Sequence, residues 1–97
     1  MRAPASSAIQ TDNDVVRITE WRLPPGGATG HHRHEYDYVV VPITGGELTI
    51  VSSAGTTRTP LTSGQSYFRE AGVEHDVQNQ TEHDIVFVEI EIKDRAG

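Results

Sequence analysis

Three histidines have the spacing of metal ligands on β-strands. His32 and His34 stand one residue apart, and His75 lies in a second short polar segment. Residues i and i+2 of a strand share a face about 6.6 Å apart, so two imidazoles can converge on one ion with bonds of about 2.0–2.1 Å. A single histidine is more often a hydrogen-bonded core or surface residue, but three buried imidazoles need a shared partner. The pattern predicts one metal ion held by His32, His34 and His75.

The donor atoms limit which metal this site would take. The chain has no cysteine, so thiolate ligands, disulfides and a thiol nucleophile are excluded. Neutral imidazoles suit iron, nickel, copper and zinc, and they bind manganese less tightly. We therefore expect one divalent transition metal, and the sequence identifies neither the metal nor a catalytic residue.

The residues around the histidines alternate as strand residues do. A strand over residues 31–43 would point one set of side chains into a barrel and leave the charged set outside; the inner set is His32, His34, Tyr36, Tyr38 and Val40, and the outer set is Arg33, Glu35 and Asp37. The segment around His75 repeats this pattern, with Val77 and Asn79 on its inner face. Three inward histidines would thus come from two strands.

Short strands separated by turn residues run through the rest of the chain. The run of Pro24, Pro25, Gly26 and Gly27 interrupts both helix and ladder, and no window of ten or more residues has helical periodicity. The predicted strands cover residues 15–23, 31–43, 47–51, 57–61, 65–69, 75–79 and 84–92. This spacing predicts an all-β protein, either a small sandwich or a closed barrel.

The ends of the chain differ from its middle. Residues 1–13 are polar and aperiodic, which favours a flexible N-terminal arm or a strand exchanged with a partner subunit. Residues 14–93 then form the barrel, and residues 94–97 form a C-terminal tail. In the last strand Glu89 and Glu91 alternate with Val88, Ile90 and Ile92, and we expect the two glutamates to lie at a solvated or interface-facing edge.

The net charge of the chain limits the kinds of partner that we expect it to bind. A formal net charge of −6 works against nucleic-acid binding, which relies on Lys and Arg neutralising phosphates. The N-terminus lacks the apolar core of a signal peptide, and no apolar run is long enough to cross a bilayer. We expect a soluble cytoplasmic protein that binds a small molecule and has neither a membrane nor a nucleic-acid partner.

Two spaced motifs make the chain similar to the cupin superfamily. The first motif, Gly-x5-His-x-His-x3–4-Glu-x6-Gly, is matched at Gly26, His32, His34 and Gly45. The second, Gly-x5-Pro-x-Gly-x2-His-x3-Asn, is matched at Gly64, Gly72, His75 and Asn79. The resemblance implies a small single-domain cupin β-barrel, a jelly-roll-like double-stranded β-helix of the RmlC-like type. Within the superfamily the chain is similar to a subgroup of small bacterial cupins, some of which are labelled as beta-alanine degradation proteins.

The chain departs from the cupin motifs at two positions. Tyr38 stands where cupins usually place a ligating Glu, and Glu70 stands where the second motif has Pro. The resemblance then implies a three-histidine site with open positions, as in the three-His cupin oxygenases, with Tyr38 at the pocket or fourth-ligand position. Aromatic packing is the alternative role for Tyr38. Glu35 or Asp37 would reach the ion only through a β-bulge.

Several other residues are candidates for lining the site. Arg69 and Glu70 precede the loop that leads to His75, where a guanidinium could bind a substrate carboxylate. The alternative is that both residues pair with neighbours on the surface. The complete set of substrate-lining candidates is Tyr36, Arg69, Glu70, Asn79 and Trp21. His31 falls on the opposite strand face from His32, and His83 lies in a polar turn, so we expect both outside the site.

The histidine set argues against a purely structural barrel, and these observations leave two functions open. One is a metal-dependent enzyme of the oxygenase or isomerase type acting on a small carboxylate metabolite. The other is a non-catalytic module that binds or senses a small molecule through its metal. In either case Val39 and Val41 place apolar side chains on the outer face of the His-bearing strand, which predicts a homodimer unless the hairpin around residues 53–57 covers them.

Overall fold

The computed structural model describes residues 3–93, which form eleven β-strands and no helix. The strands are β1 (Ala3–Pro4), β2 (Ser6–Asp12), β3 (Val16–Leu23), β4 (Gly27–Ala28), β5 (His32–Arg33), β6 (Asp37–Pro42), β7 (Gly46–Ser52), β8 (Gly55–Leu61), β9 (Tyr67–Arg69), β10 (Glu74–Gln78) and β11 (Ile85–Ile92). The predicted all-β class is confirmed. Within these residues no helix could cross a membrane.

The strands form two sheets that share one core. One sheet has the order β1-β4-β10-β7-β8, with β5 added beside β10, and the other has the order β2-β3-β11-β6-β9. Buried residues of both sheets pack into a single cluster, so the sheets lie face to face. The cluster comprises Leu48, Leu61 and Val77 from the first sheet and Leu23, Tyr38, Val40, Ile85 and Phe87 from the second.

The long strand expected over residues 31–43 is broken in two. β5 ends at Arg33 and pairs with β10, whereas β6 begins at Asp37 and pairs with β11 and β9. The residues between them carry the chain from one sheet to the other. Sequence alternation alone does not reveal this change of sheet. His34 would be buried and Glu35 exposed both in one continuous strand and in the observed pair of strands.

The N-terminal residues are strands in this structure. β1 pairs in parallel with β4, and β2 pairs antiparallel with β3 at the edge of the second sheet. Every residue of β2 is exposed, including Ile9. An exchange of this segment with a partner subunit stays a prediction, and the predicted C-terminal tail over residues 94–97 lies outside the described residues.

The last strand is turned the opposite way from the expectation. β11 is the central strand of its sheet, between β3 and β6, and its inward residues are Ile85, Phe87, Glu89 and Glu91. The expectation that the two glutamates lie at a solvated or interface-facing edge is therefore wrong. The physical reason is the pairing register, because Glu91 lies opposite Tyr38 and Glu89 opposite Val40, both of which are buried.

Candidate metal centre

Strand pairing brings two of the three histidines together. In the antiparallel pair of β5 and β10, His32 lies directly opposite His75. His34 follows β5 and is held by two backbone hydrogen bonds: its amide donates to the carbonyl of Val73 (2.9 Å), and its carbonyl accepts from the amide of Gly72 (2.8 Å). Gly72 has a φ of +94°, a conformation that favours glycine, which accounts for this position of the second motif.

The three imidazoles converge through their Nε2 atoms. Nε2 of His34 lies 3.1 Å from Nε2 of His32 and 3.1 Å from Nε2 of His75. One ligand atom from each of the three rings lies within 4.8 Å of the other two. His34 and His75 are buried, and His32 is partly buried. The site therefore presents three nitrogens to a single point from two separate segments.

The hydrogen bonding of His32 fits a metal ligand. Its Nδ1 lies 2.8 Å from the carbonyl oxygen of Gly30, which can only accept, so Nδ1 carries the proton and donates. In the neutral ring this leaves the lone pair on Nε2, facing the other two histidines. A spacing of 3.1 Å between two ligand nitrogens corresponds to an angle of about 95° at an ion with bonds of about 2.1 Å. The donor set and the two spacings of 3.1 Å thus fit a transition metal.

Burial keeps two of the rings in the form that binds metal. The pKa of His34 falls to about 4, first because the ring is buried and second because His32 is close. The pKa of His75 also falls to about 4, again mainly through burial and then through His32 and His34. Both imidazoles are therefore neutral at pH 7, and neutral imidazole is the ligating form.

Tyr38 packs against the histidines. Its ring stacks on that of His34, with centroids 4.0 Å apart and an angle of 21° between the planes. The side chain is buried, and burial together with the nearby Glu89 raises the pKa of the phenol, so the hydroxyl stays neutral. Packing is thus one role of Tyr38 in the structure, and the residue also lines the cavity described next.

A cavity of about 260 Å³ lies between the sheets and reaches His32 and His75. Its wall is mostly apolar, with contributions from Trp21, Val40, Leu48, Ile50 and Phe87, and its polar members include Tyr38, Tyr67, Arg69 and Glu89. Two sequence candidates, Trp21 and Arg69, are therefore at the cavity. The Arg69 guanidinium lies over the Tyr67 ring, 4.5 Å from its centroid, and is exposed at the edge of the cavity.

The other sequence candidates do not line this cavity. Tyr36 lies beneath the guanidinium of Arg17, which is 5.8 Å from its ring centroid. Glu70 is exposed. Asn79 is fully buried, and its amide nitrogen donates to the carbonyls of Leu23, Pro24 and His83 at 2.9, 3.2 and 2.7 Å. These bonds fix the loops at the end of β10, which gives the motif asparagine a structural role.

The two remaining histidines lie outside the centre, as expected. His31 is exposed, with Nε2 3.4 Å from a carboxylate oxygen of Glu74. His83 is exposed as well, and its backbone carbonyl accepts the hydrogen bond from Asn79.

Sequence reasoning missed Glu89, which lines the cavity beside the histidines. Glu89 is 9% exposed, and its Oε1 atom lies 4.0 Å from Nδ1 of His34. Burial, and then the neighbouring Glu91, raises the pKa of Glu89 to about 7, although Arg17 opposes the shift. The sequence contained one signal for this position. Phe87 and Glu89 lie two residues apart and share a strand face, and a large aromatic residue indicates that this face is the inward one.

The chain is similar to known proteins over most of its length. A family model described as "Cupin domain" matches residues 19–91. A curated protein from Pseudomonas aeruginosa strain PAO1, "Beta-alanine degradation protein BauB", is 53% identical over 92 residues, which cover 95% of this chain and 97% of that protein.

Solved structures give the same result. A cupin domain from Bordetella pertussis Tohama I superposes with a TM-score of 0.95 at 52% identity, covering 97% of this chain and 98% of that one. A Klebsiella pneumoniae protein with a double-stranded β-helix domain reaches a TM-score of 0.77 at 20% identity, covering 97% of this chain and 81% of that one, and it shows the shared fold alone.

Proposed function

Because the chain belongs to the cupin family, we propose that it binds one divalent transition metal through Nε2 of His32, His34 and His75 and uses it to act on a small carboxylate metabolite. The observation that supports this most directly is the convergence of the three Nε2 atoms, with that of His34 3.1 Å from each of the other two. The hydrogen bond from Nδ1 of His32 to the carbonyl of Gly30 also supports the proposal. It requires the proton on Nδ1, which leaves the lone pair of Nε2 free to face the centre.

The protein residues account for much of what such a site needs. Three histidines would hold the ion and leave positions for exchangeable ligands, and a bound metal of this kind supplies Lewis-acid or oxygen chemistry. Tyr38 fixes the plane of His34 by stacking. The apolar wall of the cavity keeps water away from a bound ligand, which strengthens polar interactions inside.

The size and charge of the cavity favour a small carboxylate. A volume of about 260 Å³ is below the range typical of drug-sized ligands, so the ligand is a small metabolite. Arg69 at the cavity edge has the planar donor group that binds carboxylates. The 53% identical relative is named for the degradation of β-alanine, itself a small amino carboxylate. We therefore propose a substrate of that size, an oxygenase or isomerase type of reaction, and a cytoplasmic location.

Metal analysis of the purified, untagged protein tests the metal centre. We expect about one ion per chain, and loss of the ion in His32→Ala, His34→Ala and His75→Ala, because each removes one of three ligands. His83→Ala is the matched control, since His83 is exposed and outside the centre, and it should keep the ion. Full metal content in His75→Ala would refute the assignment. Assays of the iron-loaded protein for consumption of small carboxylates then separate an enzyme from a receptor.

We also propose that the chain forms a homodimer through the outer face of the second sheet. A row of apolar side chains crosses four neighbouring strands of this face. Its members are Phe68 on β9, Val39 on β6, Ile90 on β11 and Ile18 on β3. Phe68 is 50% exposed. Val41 and Val88 form a second pair beside this row. The hairpin around residues 53–57 joins β7 to β8 in the other sheet and is not a neighbour of β6. A second copy related by a twofold axis would cover this apolar row.

Light scattering coupled to size exclusion tests the dimer. We expect twice the mass of the 10.6 kDa chain, and a shift to monomer in Val39→Lys, because a charge in the middle of the row would be buried by association. Thr57→Lys, a change at an exposed position of the other sheet, is the control and should stay dimeric. A wild-type mass of one chain at micromolar concentration would reject the proposal.

A further inference from the structure

Glu89 is a buried acid that has no hydrogen-bond partner among residues 3–93. Its residue is 9% exposed, and its carboxyl faces the cavity between the two sheets. Glu91, two residues along the same inward face, is exposed to the same extent but binds Arg17 through two hydrogen bonds of 2.9 and 3.1 Å. A buried carboxylate that receives no hydrogen bond from the chain is costly to keep ionised.

Two roles within the metal centre do not explain this placement. Nδ1 of His34 is 4.0 Å from Oε1 of Glu89, which is too long for a hydrogen bond that would orient the ring. Glu89 also lies on the Nδ1 side of that ring, whereas Nε2 faces the other two histidines, and the carboxyl is not a member of the convergent group. The carboxyl of Glu89 therefore faces the cavity beside the histidine group.

The remaining partner for Glu89 is a ligand. We infer that Glu89 selects the ligand by accepting hydrogen bonds from a protonated amine, so that the substrate class is a short amino carboxylate. A cationic amine would compensate the buried charge, which a purely anionic carboxylate would not. The inference rests on the proposed function, because it takes the carboxylate end of the ligand to be bound by the metal or by Arg69.

The imidazole of His34 lies between Glu89 and the centre of the histidine group. Oε1 of Glu89 is 4.0 Å from Nδ1 of this ring, and Nε2 of the same ring faces the other two histidines. Arg69 belongs to the cavity edge, where its guanidinium lies over Tyr67 and donates to the carbonyl of Phe68 (2.9 Å). The amino acids to test are therefore short ones, with one to three carbons between the amine and the carboxylate.

Calorimetric titration of the metal-loaded protein with matched ligand pairs tests the inference. The pairs are glycine with acetate, β-alanine with propionate, and 4-aminobutyrate with butyrate, which differ by the amine alone. We expect at least one amino acid to bind about tenfold or more tightly than its partner, because a hydrogen bond to a charged group contributes that much or more. In Glu89→Gln the preference should disappear through weaker binding of the amino acid, with unchanged metal content.

The controls separate the inference from the proposed function. Glu47→Gln removes the same charge from an exposed site and should keep the preference. Equal affinity of wild-type protein for both members of every pair would overturn the role of Glu89 and leave the metal-dependent function standing. Loss of metal in Glu89→Gln would also overturn it, because Glu89 would then act on His34. Metal-loaded protein that binds no carboxylate at all would refute the proposed function, and the inference with it.

Discussion

Glu89 and Glu91 occupy neighbouring inward positions on β11 and have opposite surroundings. Glu91 is bound by both the Nε and an Nη atom of Arg17, and Arg17 in turn lies against Tyr36. Glu89 faces the cavity and lies 4.0 Å from His34, without a hydrogen bond to any described residue. Both residues are 9% exposed, so burial does not distinguish them. What differs is whether the chain supplies a partner.

Glu91 therefore stabilises the fold, whereas the role that we propose for Glu89 is to bind a ligand. A buried ion pair with good geometry offsets its desolvation, whereas a lone carboxyl keeps that cost unless something outside the chain binds it. The pKa of Arg17 is raised by its hydrogen bonds to Glu91, and the pKa of Glu89 is raised by burial. Titratable groups whose pKa is shifted by burial beside a cavity are characteristic of functional sites.

The largest expected effect is on the Glu91 side of the comparison. Arg17→Met should lower the free energy of unfolding by about 3 kcal/mol, because it leaves Glu91 buried without its partner. Urea denaturation at pH 7 measures this change. Arg22→Met is the matched control, since the pair of Arg22 with Asp84 is half exposed and 3.4 Å long, and it should change stability by less than about 0.5 kcal/mol. Equal effects of the two substitutions would remove the distinction between Glu91 and Glu89.

A smaller effect concerns how the stability of the metal-free protein depends on pH. The folded pKa of His34 and of His75 is about 4, below the ordinary 6.5, so the unfolded chain binds two extra protons below pH 6.5 and stability is lost as pH falls. The folded pKa of Glu89 is about 7, above the ordinary 4.5, so its protonation stabilises the folded state at low pH and this contribution is lost as pH rises. Between pH 4.5 and 6.5 the two effects oppose each other.

The substitution Glu89→Gln removes one of these opposing effects. Wild-type stability should rise by about 1 kcal/mol per pH unit from pH 4.5 to 6.5, and the slope should be about twice as steep in Glu89→Gln. Urea denaturation at several pH values in this window, with a chelator present, gives both slopes. Glu47→Gln should keep the wild-type slope, because Glu47 is exposed. Identical slopes for wild type and Glu89→Gln would mean that the carboxyl of Glu89 is not perturbed by burial.

The family and the histidine group were predicted from the sequence alone. Spaced glycines and histidines determine the motif match, and strand periodicity places His32 and His34 on one face. The geometry agrees, since the three histidines do meet. Such local patterns are readable because they depend on a few residues close in the chain, and because Gly72 must adopt a positive φ to turn the chain toward His75.

The tertiary structure decided what no local pattern contains. The break between β5 and β6 moves the chain from one sheet to the other, and it places Tyr36 beside Arg17 and outside the cavity lining. Asn79 is fixed by the carbonyls of Leu23 and Pro24, which are distant in the chain, so its amide is occupied. The orientation of β11 depends on its register with β6, and a strand with apolar residues on both faces can turn either face inward. The sequence therefore determined which three histidines could converge, whereas long-range pairing decided that Glu89 faces the cavity and Glu91 faces Arg17.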